Sequence, residues 1–145
     1  MRTVCGPDGR TYLLVKQSSD ASRVRDPETG EERHLPNDDL EAVSGESPLE
    51  TAARAVPEPV RRILVAVPTE RGLGLLVDLV DRGPLPVVDL LGAYDLCESD
   101  LHGLLTEFRA AGLVVETTVY GERGYEATDA AKEGVELLRA NGARE

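Results

Sequence analysis

Tryptophan is absent from the 145 residues, phenylalanine occurs once (Phe108) and tyrosine four times (Tyr12, Tyr94, Tyr120, Tyr125). With so few rings, any core must be built from Leu, Val and Ala, and a hydrophobic content of 41% is enough to build one. Cysteine is also scarce. Cys5 and Cys97 lie far apart and neither belongs to a CxxC pair, which argues against a disulfide framework. Together with His34 and His102 they match no zinc-site spacing, so no metal and no cofactor is expected. No apolar run approaches the roughly 18 residues of a membrane span. The opening MRTVCGPDGR lacks the apolar middle of a signal peptide. The expectation is a cytoplasmic protein without a membrane partner.

Lysine is nearly missing too. Lys16 and Lys132 are the only two, and Lys and Arg together number 16 against 27 Asp and Glu, a net charge of −11. Acidic excess with few aromatics can mark disorder, but apolar residues recur here at helical and strand periods, which a disordered segment does not need. Many carboxylates and small aliphatics with little lysine resemble the proteins of salt-loving archaea, in which a carboxylate shell keeps the surface hydrated. Catalytic signatures are missing as well. There is no GxSxG, no phosphate-binding glycine loop and no HExxH, and RGLG and GERG are turn chemistry. A non-enzyme is expected, with no catalytic residue assigned.

What is present divides in two. Over residues 1–35, GPDG and DPETG place Pro, Asp and Gly where tight turns need them. The flanks RTYLLVK, SRVRD and EERHL read as strands, predicting an antiparallel meander of three or four strands. Residues 36–46 read as a polar linker, closing a first part at 1–46. At Ser47 the pattern changes to SPLE, with an N-cap Ser, Pro at the first helical position and Glu at the third. Leu49, Ala52, Ala53 and Val56 follow at helical spacing, then Val60, Ile63, Leu64 and Val67 in a second short helix ended by Pro68.

From Thr69 the signal is denser. TERGLGLLVDLVDRG predicts a capped helix presenting Leu73, Leu76, Val77 and Val80, widened by Leu75 and Leu79, with Gly83 as its stop. VVDLLGAY predicts a short second helix and ESDLHGLLTEFRAAG a third, burying Leu101, Leu104, Leu105 and Phe108 and ended by Gly112. LVVETTVYGERGYEA then reads as strand, turn and strand, and Thr128 caps a last helix carrying Ala131, Val135 and Leu138. The expected fold is α+β: a winged helix-turn-helix over 47–145 with accessory N-terminal helices, preceded by the small β meander.

LCESDLHGLLTEFRAAGLV resembles the turn and recognition helix of winged-helix regulators of the MarR and ArsR type, with Leu96, Leu101, Leu105, Phe108, Ala111, Gly112, Leu113 and Val114 in matching places. YEATDAAKEG resembles the segment that closes such wings, with Ala127 and Ala131 replacing Leu and Gly. The whole chain also resembles haloarchaeal proteins that set a small β unit before a winged helix. The resemblance to MarR and ArsR regulators implies a DNA-binding transcriptional regulator acting as a homodimer on double-stranded DNA. It implies base contacts from Glu98, Ser99, Asp100, His102, Gly103 and Thr106 and phosphate contacts from Arg109 and Arg123.

The charge runs against it. Residues 97–127 hold six carboxylates (Glu98, Asp100, Glu107, Glu116, Glu122, Glu126) against those two arginines, whereas DNA affinity at ordinary salt rests on cations. Two readings follow: recognition of DNA in a salty cell, where screening shortens the Debye length to about 3 Å at 1 M, or a protein-interaction module on a winged-helix scaffold. Cys97 opens the third helix, where a helix N-terminus could activate a thiol; a weak cap is the plainer reading.

Overall fold

The computed structural model describes residues 1–142, which form two compact units, Met1–Pro57 and Glu58 onward.

The first unit is a five-stranded antiparallel sheet: β1 (Arg2–Cys5), β2 (Thr11–Gln17), β3 (Ala21–Arg25), β4 (Glu32–Pro36) and β5 (Glu41–Ala42), in the order β4-β3-β2-β1-β5. The two sequence-predicted turns close it. Gly9 and Gly30 adopt φ of +77° and +78°, the left-handed region that glycine enters without a steric penalty. Val4, Tyr12, Leu14 and Val24 form the core on one face. Thr3 and Leu13, opposite each other in the β1–β2 register, are buried on the other face.

Two expectations are corrected here. Residues 36–46 are not a plain linker, because β5 pairs with β1 and makes a fifth strand. Asn37 anchors that path: its Nδ2 donates to Ser18 O at 2.7 Å and its Oδ1 accepts from Ser22 Oγ at 2.5 Å. Helix α1 (Pro48–Ala52), capped by Ser47 as expected, belongs to this unit and packs on β1 and β2, so the compact unit runs past the expected boundary at 46/47. The buried residue of α1 is Thr51, whereas Leu49, expected on the apolar face, is 81% exposed. The cause is polar. The Thr51 hydroxyl lies 2.7 Å from that of Thr3 and donates to Glu46 at 2.9 Å, and Glu46 also receives Arg54. A hydroxyl has one proton, so donation to Glu46 leaves Thr51 to accept from Thr3.

The second unit holds α2 (Glu58–Ala66), α3 (Glu70–Arg82), β6 (Leu85–Pro86), α4 (Val87–Ala93), α5 (Glu98–Ala110), β7 (Val114–Val119), β8 (Glu122–Ala127) and α6 (Asp129–Gly142). Its three strands run in the order β6-β8-β7. After α2, the three helices α3, α4 and α5, a hairpin completed by a short third strand and the closing helix α6 are a winged helix-turn-helix. Leu76, Leu79, Leu101, Leu105, Phe108, Leu113, Ala131 and Val135 join the helices and hairpin in one aliphatic core. Of the expected apolar faces, Val60 and Ile63 are buried but Leu64 is 62% exposed, and Leu73 turns out while Gly72 and Leu75 turn in. The apolar stripe of each helix is wide enough for packing partners to choose among its residues.

The hairpin is placed by two devices. Gly112, at φ +73°, ends α5, and the Leu113 N–H returns to Phe108 O at 2.8 Å, the bonding of a Schellman stop. Thr128 then ties the far end back. Its hydroxyl donates to Gly112 O at 2.7 Å and accepts from the Ala131 N–H at 3.3 Å, capping α6.

Candidate nucleic-acid interface

Helix α5 buries Leu101, Leu105 and Phe108, and this fixes what it shows to solvent. Glu98, Ser99, Asp100, His102, Gly103, Thr106 and Arg109, the residues expected to meet DNA, are all exposed on α5, and Arg123 is exposed on the wing. Cys97 caps the helix, its Sγ accepting the Asp100 N–H at 3.4 Å. Nothing crowds Gly103, where an added Cβ would meet no atom within 4 Å. The Thr106 hydroxyl donates to His102 O at 2.8 Å within the helix, leaving its lone pairs to accept from outside.

Between α5 and the wing runs a groove of about 540 Å³, lined by Val87 at the start of α4, by Glu98, Ser99 and His102 of α5, and by Arg123 and Tyr125 of β8. It joins residues expected from the helix to one expected from the wing. Asp100, Gly103, Thr106 and Arg109 do not line it. Gly124 lets β6 approach the wing: an added Cβ would stand 2.6 Å from Leu85 O.

The two arginines are not free cations. The β7–β8 register sets Glu116 opposite Tyr125, two residues along β8 from Arg123, so all three side chains share one face. Arg123 Nε lies 2.7 Å from Glu116 Oε1, and Arg109 Nη1 lies 3.7 Å from the other carboxylate oxygen. Arg123 also donates to the Tyr125 hydroxyl at 2.8 Å. That bond first, and the Glu116 charge after it, raise the arginine's pKa above its ordinary value. With the turn at Tyr120 and Gly121, period-2 counting along the hairpin puts these residues on one face, so the cluster has a signal in the sequence. These turn residues have φ of +50° and +78°, the signature of a two-residue type I′ hairpin. Tyr120 itself stands 99% exposed at the tip.

The second unit thus defines a winged-helix protein in which α5 and the wing flank a groove lined by one carboxylate, Glu98, and one arginine, Arg123. The chain belongs to the family of unknown function DUF7346, whose profile matches residues 1–139 and so spans both units. No curated protein matches it. Among solved structures it is similar to the transcriptional regulator HlyU from Vibrio vulnificus CMCP6, with 26% identity over 64% of this chain and 92% of that one and a TM-score of 0.49. It is also similar to an ArsR family transcriptional regulator, with 17% identity over 60% of this chain and 89% of that one and a TM-score of 0.43. Among the described residues no helix is long and apolar enough to cross a membrane.

Proposed function

We propose that this protein is a DNA-binding transcriptional regulator that reads duplex DNA with α5 and steadies it with the wing, as a homodimer adapted to high salt. The observation that carries this reading is the clear outer face of α5: Ser99 and His102 line a groove bounded by the wing, and Thr106 stands exposed on the same helix. Base edges in the major groove ask for donors and acceptors rather than net charge. The Ser99 hydroxyl or the His102 imidazole can meet purine acceptors, the Thr106 hydroxyl can accept from a base amino group, and Glu98 or Asp100 can accept from cytosine N4. Concentrated salt removes the repulsion between those carboxylates and phosphate, since screening then acts within contact distance. Two-fold pairing of the recognition helices fits palindromic half-sites. The exposed Leu64 and Val65 of α2 are apolar surface available for it.

Selection of bound duplexes from a random library in concentrated KCl tests the proposal. A two-fold symmetric motif whose enrichment is lost in His102→Ala and Thr106→Ala is the expected result. No enriched motif at any salt would overturn it. One observation favours a second reading: Glu116 engages both Arg109 and Arg123, as a scaffold that binds other proteins without DNA contacts would permit. Absence of any duplex binding would favour that module.

A further inference from the structure

Three of the sixteen Lys and Arg of this acidic chain share one face of the first unit's sheet with a histidine. In the β2–β3–β4 register Lys16 stands opposite Arg23, and Arg23 opposite His34. Directly opposed residues share a face, so these three side chains form one row across three strands. Strands lie about 4.8 Å apart and alternate residues along a strand about 7 Å apart, which puts Arg25 next to the row on the same face. A bulge at Val15 creates the row: the register shifts between Leu14 and Lys16, turning Lys16 to the side of Arg23. One carboxylate answers all of this. Glu32 lies 3.3 Å from Arg23 and 3.7 Å from Arg25. Among the described residues no carboxylate forms an ion pair with Lys16 or His34. Lys16, Arg23 and His34 are exposed.

Like charges set directly opposite destabilise a sheet, and in a chain of net charge −11 a solvated face has carboxylates to spare for relieving them. Helix α1 packs on β1 and β2 at Thr3, Arg25 stands half-buried opposite Leu13, and the row of Lys16, Arg23 and His34 beyond it remains open. We propose that Lys16, Arg23, Arg25 and His34 form a phosphate-binding surface that holds the backbone of duplex DNA. This inference rests on the reading of the protein as a DNA-binding regulator. It assigns the β unit the larger share of the backbone grip, since Arg109 of α5 and Arg123 of the wing are both engaged by Glu116. Phosphate contacts position a protein while base contacts specify, and the two tasks are divided between the units. A nucleic acid fits this surface better than an acidic protein does. Protein interfaces set arginine among aromatic and apolar anchors, and the exposed side chains of this row include no such anchor.

The test uses the full chain and a labelled duplex of random sequence, with binding followed by anisotropy across a KCl series and folding checked by circular dichroism. Each phosphate contact contributes about −0.9 to the slope of log affinity against log salt. The triple variant Lys16→Gln, Arg23→Gln, Arg25→Gln should therefore shift that slope by roughly +2 to +3 and bind at least about tenfold more weakly near 0.2 M KCl. Glu32→Gln, which keeps every cation, should bind more tightly than the parent and tests the surface even if the triple variant fails to fold. Unchanged affinity and slope in these variants would overturn the inference, and leave the regulator reading standing if His102→Ala and Thr106→Ala still abolish sequence preference. Weakened binding in the triple variant with no effect of the α5 variants would support the basic surface and overturn recognition by α5. No duplex binding at any salt would overturn both. Labelled polyglutamate bound as tightly as the duplex would overturn the nucleic-acid assignment in favour of an acidic protein.

Discussion

Arg139 on α6 and Asp81 on α3, 58 residues apart in sequence, meet as a two-pronged ion pair with N–O distances of 2.8 and 2.6 Å. The hydrogen bond from Arg139 holds the Asp81 carboxyl below its ordinary pKa, and the same contact raises that of Arg139. A carboxylate whose pKa is depressed in the folded state adds stability above its unfolded pKa and loses it as pH falls through the folded one. Asp81→Asn should therefore lower the melting temperature at neutral pH, and the gap from the parent should close as pH falls below the carboxylate range. The pair is about half exposed, so the gap should also shrink in concentrated KCl. Thermal melts at several pH and salt values measure both trends.

Gly134 and Gly103 should respond oppositely to alanine. A Cβ at 134 would stand 2.6 Å from Ile63 Cδ1 and 2.8 Å from Pro59 O, where α6 crosses α2. The backbone oxygen cannot move aside, so overpacking of about 1–3 kcal/mol should exceed the gain of about 1 kcal/mol that alanine brings to a helix. At Gly103 the space is open, and the same helix gain should appear as added stability. Denaturant titrations of the two variants would show opposite shifts of midpoint.

Tyr120 occupies a left-handed turn position at φ +50° with its ring in solvent. Asparagine tolerates that region better than an aromatic residue, whose left-handed backbone costs about 1–2 kcal/mol. Tyr120→Asn should stabilise the second unit by about 0.5–1 kcal/mol, as read from a denaturant midpoint.

Thr51→Val should destabilise the first unit by about 1–3 kcal/mol, because it leaves the buried Thr3 hydroxyl and one oxygen of Glu46 without their partner. A fragment of residues 58–145 should fold without the sheet, since the core of the winged helix begins at Val60 and Ile63. Circular dichroism of both proteins in high salt decides. An unfolded fragment would mean that the second unit depends on the first for its stability.

On DNA, Glu98→Gln and Asp100→Asn should each strengthen binding at low KCl, and that advantage should fade as screening approaches about 3 Å at 1 M. Anisotropy across a salt series would show the parent and variant curves converging. Parallel curves would mean that these carboxylates do not face phosphate.

Local chemistry made much of the second unit legible. The cap at Thr69, the stops at Gly83 and Gly112 and the cap at Thr128 are all used as the residue types imply, because caps and left-handed stops depend on neighbours a few residues away. The exposed face of α5 followed from the spacing of Leu101, Leu105 and Phe108, which turned the DNA candidates outward without reference to the rest of the chain.

Long-range pairing was not legible. The fifth strand at Glu41–Ala42 is two residues long and exposed, and exists because the edge of β1 offers it hydrogen bonds. Leu49 had the spacing of a core residue, yet Thr51 took the buried place, because a hydroxyl could satisfy Thr3 and Glu46 and a leucine could not. Sequence alone set the charge balance, the caps, the stops and the winged-helix order of elements, since each depends on composition or on residues near in the chain. Tertiary structure alone decided that Glu116 holds Arg109 and Arg123, and that Lys16, Arg23 and His34 line up across three strands. Those outcomes depend on strand register and on one bulge at Val15, and register is set by how side chains pack across strands that lie far apart in sequence.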